Sequence, residues 1–133
     1  MRIGLYINGG ASLDALLGRV RAASAAGLDS AFFSQVTAWD AITVAALAAR
    51  ETPGIEVGTA VVQTYPRHPL ALAGQALTAQ TVSGNRLTLG IGPSHRQIVE
   101  GLLGLSYDRP ALHTREYLTA LRPLLRGEPV EYR

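Results

Sequence analysis

No cysteine occurs in the chain, so disulfides, thiolate nucleophiles and thiolate metal ligands are excluded, although this by itself assigns no redox compartment. Lysine is absent too. All 12 basic residues are arginine, which together with abundant alanine reads as coding bias rather than chemistry. These arginines are scattered from Arg2 to Arg133 and form no basic stripe. A formal net charge of +2 and a pI of about 9.4 therefore do not point to nucleic acid, whose backbone is met by clustered positive charge. Long apolar runs are missing as well. Ile3 to Ile7 is too short for a signal-peptide core, and Ala41 to Ala49 cannot span a bilayer. No membrane partner is expected, and a cytoplasmic location is the default. No glycine-rich phosphate loop of the P-loop or dinucleotide kind occurs, and no metal site is assigned.

What is present is an ordinary globular composition, 47% hydrophobic and 17% charged over 133 residues. A complete eight-stranded β/α barrel takes roughly 250 residues, so about half of one fits. The chain turns on Gly58 to Pro69, which passes from strand to loop to helix. Thr59, Val61 and Val62 are β-branched and favour a buried strand, while Gly58 permits a bulge or a close backbone approach. Pro69 suits the first turn of a helix, where its missing N–H has no intrahelical partner.

In chain order, Arg2 to Asn8 is a short apolar strand, closed by Gly9-Gly10, with Ser12 as N-cap of a first helix. Leu13, Leu16, Leu17, Val20 and Ala23 mark the buried face of that helix, and Gly27 its end. Asp29 to Ser34 is a second strand. Asp40 caps a second helix through Arg50, stopped by Thr52-Pro53-Gly54. A third strand starts at Ile55. The helix after Pro69 runs to about Ser83, with Leu70, Ala73, Ala76, Leu77 and Gln80 on its predicted inner face. A fourth strand spans Arg86 to Ile91 and is broken by Gly92-Pro93-Ser94-His95. A short helix carrying Ile98, Val99, Leu102 and Leu103 follows. A last helix covers His113 to Arg126, with Pro123 expected to kink it.

Strand starts near residues 2, 29, 55 and 86 recur about every 28 residues, the size of a βαβ unit, and predict a parallel sheet in one domain or half-domain. Ligands in such folds collect at the carboxyl ends of the strands. Four places are selected: Asn8 to Gly10, Ser34 to Trp39, Thr59 to His68, and Gly92 to Arg96.

With those residues in view, the chain resembles the luciferase-like monooxygenases, and within them the deazaflavin (coenzyme F-420)-dependent oxidoreductases. The resemblance spans the whole chain. It rests on Phe33-Ser34-Gln35 with Trp39-Asp40, on Gly58-Thr59-Ala60-Val61 with Tyr65-Pro66-Arg67-His68-Pro69, and on Leu87-Thr88-Leu89-Gly90-Ile91-Gly92. Tyr107-Asp108-Arg109-Pro110 and Arg115-Glu116-Tyr117-Leu118 add to it.

The resemblance implies an α/β fold, half of a TIM-type (β/α)8 barrel with four parallel strands alternating with helices, over residues 1–133. It also implies a flavin or deazaflavin ring leaning on a bulge in strand three with a cis peptide at Ala60-Val61. Thr59, Ala60, Val61, Gly92 and Ser94 become the expected cofactor contacts. Gln35, Trp39 and His95 become the expected catalytic residues. Gln35 departs from the family's His at that position: its amide donates and accepts hydrogen bonds but shuttles no proton, which shifts the proton role to His95. Arg67 and His68 stay outside the catalytic set, and His113 is read as a surface residue.

The implied reaction is hydride transfer between reduced coenzyme F-420 and a small organic substrate. FMN is the alternative cofactor, with monooxygenation by molecular oxygen as its reaction. Relatives close the barrel with a C-terminal half not found in these residues. The partner expected is therefore a second copy, as a homo-oligomer, or a separate chain completing the barrel. A non-catalytic half-barrel or assembly module is the competing reading.

Overall fold

The structure, a computed structural model, describes residues 1–35 and 39–131. In chain order its elements are β1 (Gly4–Ile7), α1 (Leu13–Ala25), β2 (Ser30–Phe33), α2 (Ala41–Glu51), β3 (Glu56–Thr59) and β4 (Val62–Gln63). They continue with α3 (Pro69–Val82), β5 (Leu87–Thr88), β6 (Ile91–Gly92), α4 (Arg96–Gly101) and α5 (Pro110–Leu125). The chain divides into two compact units, Met1–Val62 with Thr78–Ile91, and Gln63–Leu77 with Gly92–Arg133.

The first unit holds a four-stranded sheet of order β1-β2-β3-β5. Every pair in it is parallel, with Gly4 beside Ser30, Ser30 beside Glu56 and Val57 beside Leu87. Ile7, Ala31, Phe33 and Val57 are buried along it, as expected of parallel strands covered by helices. Helix α1 starts where Ser12 Oγ accepts from Ala15 N at 3.2 Å, and it buries Leu16, Leu17, Val20 and Ala23. Helix α2 starts where Asp40 Oδ2 accepts from Thr43 N at 2.9 Å, and it buries Ala41, Ile42, Val44, Ala45, Ala48 and Ala49. Glycine is required at position 58. A Cβ there would stand 2.4 Å from Phe32 Cε1 and 2.7 Å from the Thr88 carbonyl oxygen.

Arg86 ties this unit together. Its guanidinium donates to the carbonyl oxygens of Ser83 (2.7 Å), Thr52 (3.3 Å), Ile55 (2.6 Å) and Ala49 (2.8 Å). The carbonyls left over at the end of α2 thereby gain a charged donor.

The fourth strand is not the single Arg86–Ile91 run that the sequence predicts. It is interrupted after Thr88 and resumes as β6, which pairs with β4 in a separate two-stranded sheet. Between the two runs, the Gly90 N–H and C=O both bond the Thr59 hydroxyl, and the C=O also accepts from Val62 N.

Helix α3 begins at Pro69 as anticipated, but its inner face differs. Leu72, Ala73, Ala76 and Ala79 are buried, while Leu70 and Leu77 are 62% and 43% exposed. Apolar residues lie almost all round this helix, so leucine spacing alone does not decide its orientation. Helix α5 starts at Pro110, three positions before His113, because proline fits the first helical position. It buries Tyr117, Ala120 and Leu121. Pro123 falls in the last turn, and Gly127, at φ 75°, closes the helix with Glu128 N donating to the Pro123 carbonyl at 3.0 Å.

Candidate functional site

Three strand tips of the first unit carry predicted site residues. At the tip of β1, Ser34 Oγ donates to Asn8 Oδ1 at 2.6 Å. After β2, Gln35 Oε1 accepts from Ala41 N at 2.9 Å, so its carbonyl serves the first turn of α2. Residues 36–38 of that tip lie outside the described residues. Trp39 is 48% exposed, and its indole N–H donates to the Ala11 carbonyl at 3.0 Å. The indole therefore offers ring surface, its one donor being committed to backbone. Beneath it, a gap of about 10 Å³ lined by Ile7, Leu16, Phe33 and Val44 is water-sized at most.

At the tip of β3 the Ala60–Val61 peptide is cis, at the position the family resemblance implies. Its flanks are fixed on both sides: Ala60 N donates to the Phe33 carbonyl at 2.8 Å, and Val62 N to the Gly90 carbonyl at 3.0 Å. Thr59 is 1% exposed and stands below the bulge. Its hydroxyl donates to Gly90 O at 2.8 Å and accepts from Gly90 N at 2.9 Å. A Cβ on Gly90 would lie 2.1 Å from the Thr59 carbonyl oxygen, so only glycine packs here. Val61 is 39% exposed, so the bulge shows an apolar side chain outward while its neighbouring N–H groups are satisfied within the unit. Such a surface fits the face of a flat heterocycle better than a phosphate tail.

Gly92, Ser94 and His95 belong to the second unit. Ser94 adopts φ 65°, its Oγ accepts from Gln63 Nε2 at 3.1 Å, and its carbonyl accepts from the Tyr107 hydroxyl at 2.8 Å. Thr64 N donates to the Gly92 carbonyl at 3.0 Å. His95 is exposed at the N-cap of α4 and makes no side-chain capping bond. Arg96 lies over the Tyr107 ring at 5.6 Å.

The same unit contains a cluster that sequence reasoning missed. His113, read as a surface residue, is half-buried: its Nε2 is 2.9 Å from Thr64 Oγ1, and its ring stacks on Tyr65 at 3.9 Å and 13°. Burial holds its pKa below the usual 6.5, with Glu116 pulling the other way. Tyr117 donates to the Arg67 carbonyl at 2.9 Å, and burial pushes its pKa up to about 12 against the effect of Arg67. The Tyr65 hydroxyl is buried without a hydrogen-bond partner, and burial raises its pKa. A cavity of about 360 Å³ opens here, lined among others by Thr64, Tyr65, Arg67, His68, His113 and Tyr117. His113 and Tyr117, four residues apart on one helix, carried the signal, since i,i+4 aromatics share a face. Among the described residues no cluster of His, Asp or Glu could hold a metal ion. No helix among them is long and apolar enough to cross a membrane.

A family model described as luciferase-like monooxygenase matches residues 1–133. Over 112 residues the chain is 39% identical to a Mycobacterium tuberculosis protein named as a coenzyme F-420-dependent oxidoreductase, covering 84% of this chain and 32% of that one. The solved coenzyme F-420-dependent tetrahydromethanopterin reductase of Methanopyrus kandleri superposes with a TM-score of 0.87 at 24% identity, over 99% of this chain and 42% of that one. The oxygenating constituent of 3,6-diketocamphane monooxygenase of Pseudomonas putida, a type II Baeyer–Villiger monooxygenase solved in complex with FMN, gives 0.85 at 21% identity, over 100% and 41%. These likenesses show the fold, parallel strands alternating with helices as in one half of a TIM-type barrel. The chain spans less than half the length of each of these proteins.

Proposed function

The chain belongs to the luciferase-like monooxygenase family, and from that membership we propose that it serves a deazaflavin-dependent oxidoreductase, with hydride passing between reduced coenzyme F-420 and a small organic substrate. One observation of the chain itself carries the reading: the Ala60–Val61 bulge shows an exposed apolar side chain while the N–H groups of Ala60 and Val62 are tied down at 2.8 and 3.0 Å. That makes a firm apolar platform for one face of a ring. When bound, the reduced deazaflavin would supply the hydride; the chain's own part is orientation, which contributes several kcal/mol when reacting atoms are held in contact.

In this reading Ala60 and Val61 touch the ring, whereas Thr59, expected as a contact, is 1% exposed with its hydroxyl on Gly90 and supports the bulge through that residue instead. Trp39 offers its exposed indole face. Gln35, with its carbonyl on Ala41 N, keeps the β2 tip in register with α2. Gly92 and Ser94 are retained as proposed cofactor contacts on the family resemblance. His95, exposed and without a side-chain capping bond, is the proposed proton carrier on the family resemblance. The rest of the barrel, whether from a second copy or another chain segment, would complete the cofactor site, and the compartment proposed is the cytoplasm.

FMN is the second reading, supported by the likeness to the FMN-bound monooxygenase. Separate titrations of coenzyme F-420 and FMN against the purified protein, followed by cofactor fluorescence with the mass in solution measured alongside, test both. Saturable uptake of the deazaflavin alone supports the proposal. Uptake of FMN alone replaces it with the flavin reading, and uptake of neither leaves a non-catalytic assembly module.

A further inference from the structure

Three side chains near the end of the chain, two of them bonding backbone and one a side chain, hold two predicted ligand-facing segments of the second unit. Tyr107 donates to the Ser94 carbonyl at 2.8 Å, and Tyr117 to the Arg67 carbonyl at 2.9 Å. The third grip differs in kind. His113 Nε2 meets the Thr64 hydroxyl at 2.9 Å, and that hydroxyl also lies 3.4 Å from the Gly92 carbonyl, which Thr64 N bonds at 3.0 Å. Thr64 is 1% exposed, so water does not compete for these bonds. Imidazole, hydroxyl and carbonyl thus form one relay running from α5 to the residue that opens the Gly92-Pro93-Ser94-His95 segment.

We propose that His113 is a positioning residue: through the Thr64 hydroxyl it sets where the Gly92–Ser94 edge is held, and so how that edge meets a bound ring. The ligand half of this inference rests on the reading under Proposed function; the backbone half stands on the geometry alone. Stacking on Tyr65 at 3.9 Å and 13° fixes the plane of the imidazole, and the Thr64 hydroxyl at 2.9 Å fixes which edge faces it. The relay has two settings. With a neutral ring accepting at Nε2, the hydroxyl donates to His113; with Nε2 protonated, the ring donates and the hydroxyl is released toward Gly92 O. The ionisable groups facing the ring are Tyr65, Arg67 and His68 from the segment before α3, and Glu116 and Tyr117 from α5 itself. Burial favours an uncharged ring, and each of its two tautomers gives one of these settings.

The test uses the full chain with His113→Phe, which keeps an aromatic stack but removes the nitrogen, Thr64→Val, the double variant, and His113→Gln, whose amide can return a polar atom near the Nε2 position. Hydrogen exchange at the Thr64 amide reads the bond to Gly92 directly, and coenzyme F-420 affinity reads its consequence. His113→Phe and Thr64→Val are each expected to speed that exchange and weaken affinity about fivefold, the worth of one ordinary hydrogen bond. The double variant is expected to be no worse than either single, since both cut the same relay, and His113→Gln to restore most of the loss. Unchanged exchange at Thr64 in either single variant would overturn the proposal, as would additive losses in the double. If wild type binds no cofactor, the functional reading fails while the exchange measurement still decides the role of His113.

Discussion

Thr59 and Gly90 exchange two hydrogen bonds through a single hydroxyl, which donates to the glycine carbonyl at 2.8 Å and accepts from the glycine N–H at 2.9 Å. The same carbonyl receives Val62 N at 3.0 Å, so one residue between β5 and β6 is joined to both sides of the Ala60–Val61 bulge. Threonine is needed for the first link and glycine for the second, because a Cβ at position 90 would press 2.1 Å from the Thr59 carbonyl oxygen.

Thr59→Val is close in shape but leaves a part-buried N–H without this acceptor, and is expected to cost about 1–3 kcal/mol. Gly90→Ala forces the two strands apart and is expected to cost about as much, by overpacking. Urea unfolding measures both, and a double variant no worse than the larger single would show that they act on one contact.

Replacing Arg86 tests the tie between α2 and its neighbours. Lysine keeps the charge but not the planar fork, so it cannot serve the carbonyls of Ala49, Thr52, Ile55 and Ser83 together. Arg86→Lys is expected to lower stability by about 2 kcal/mol, and Arg86→Ala by more. A melting curve unchanged by Arg86→Lys would show that one or two of these bonds suffice.

Trp39 is the chain's one tryptophan, so its emission reports on the β2 tip without interference. A ring bound against its exposed face is expected to quench that emission in step with saturable cofactor uptake. Uptake without quenching would remove Trp39 from the site.

Tyr117 makes the fold sensitive to alkali. Its pKa rises from 10.0 to about 12 because burial disfavours the phenolate. The folded chain therefore keeps a proton that the unfolded chain releases. This contribution is fully present below pH 10 and is lost as pH rises from 10 through 12. Tyr117→Phe is expected to flatten that part of the stability profile and to cost about 1 kcal/mol at neutral pH through the lost bond to Arg67 O.

Much of the architecture was legible in local chemistry. Ser12, Asp40 and Pro69 start helices where side-chain oxygens or a fixed φ dictate it, and the strand spacing gave the parallel order. The inner face of α3 was not legible, because Leu70 and Leu77 compete with Leu72 on a helix apolar nearly all round. Nor was the Thr64–His113 contact, which joins the Thr59 to His68 strand tip to a residue read as surface 49 positions away. The same holds for Gln63 with Ser94 and for Thr59 with Gly90, each 31 apart. Spacing rules reach one element at a time, and these pairings exist only once the strands are laid side by side.

The reach of Arg86 also constrains chain length. Its guanidinium touches carbonyls on both sides of the Pro53–Gly54 turn, at Thr52 and Ile55, so a residue inserted or deleted there would carry one oxygen out of range. At this turn, length, more than sequence, resists change.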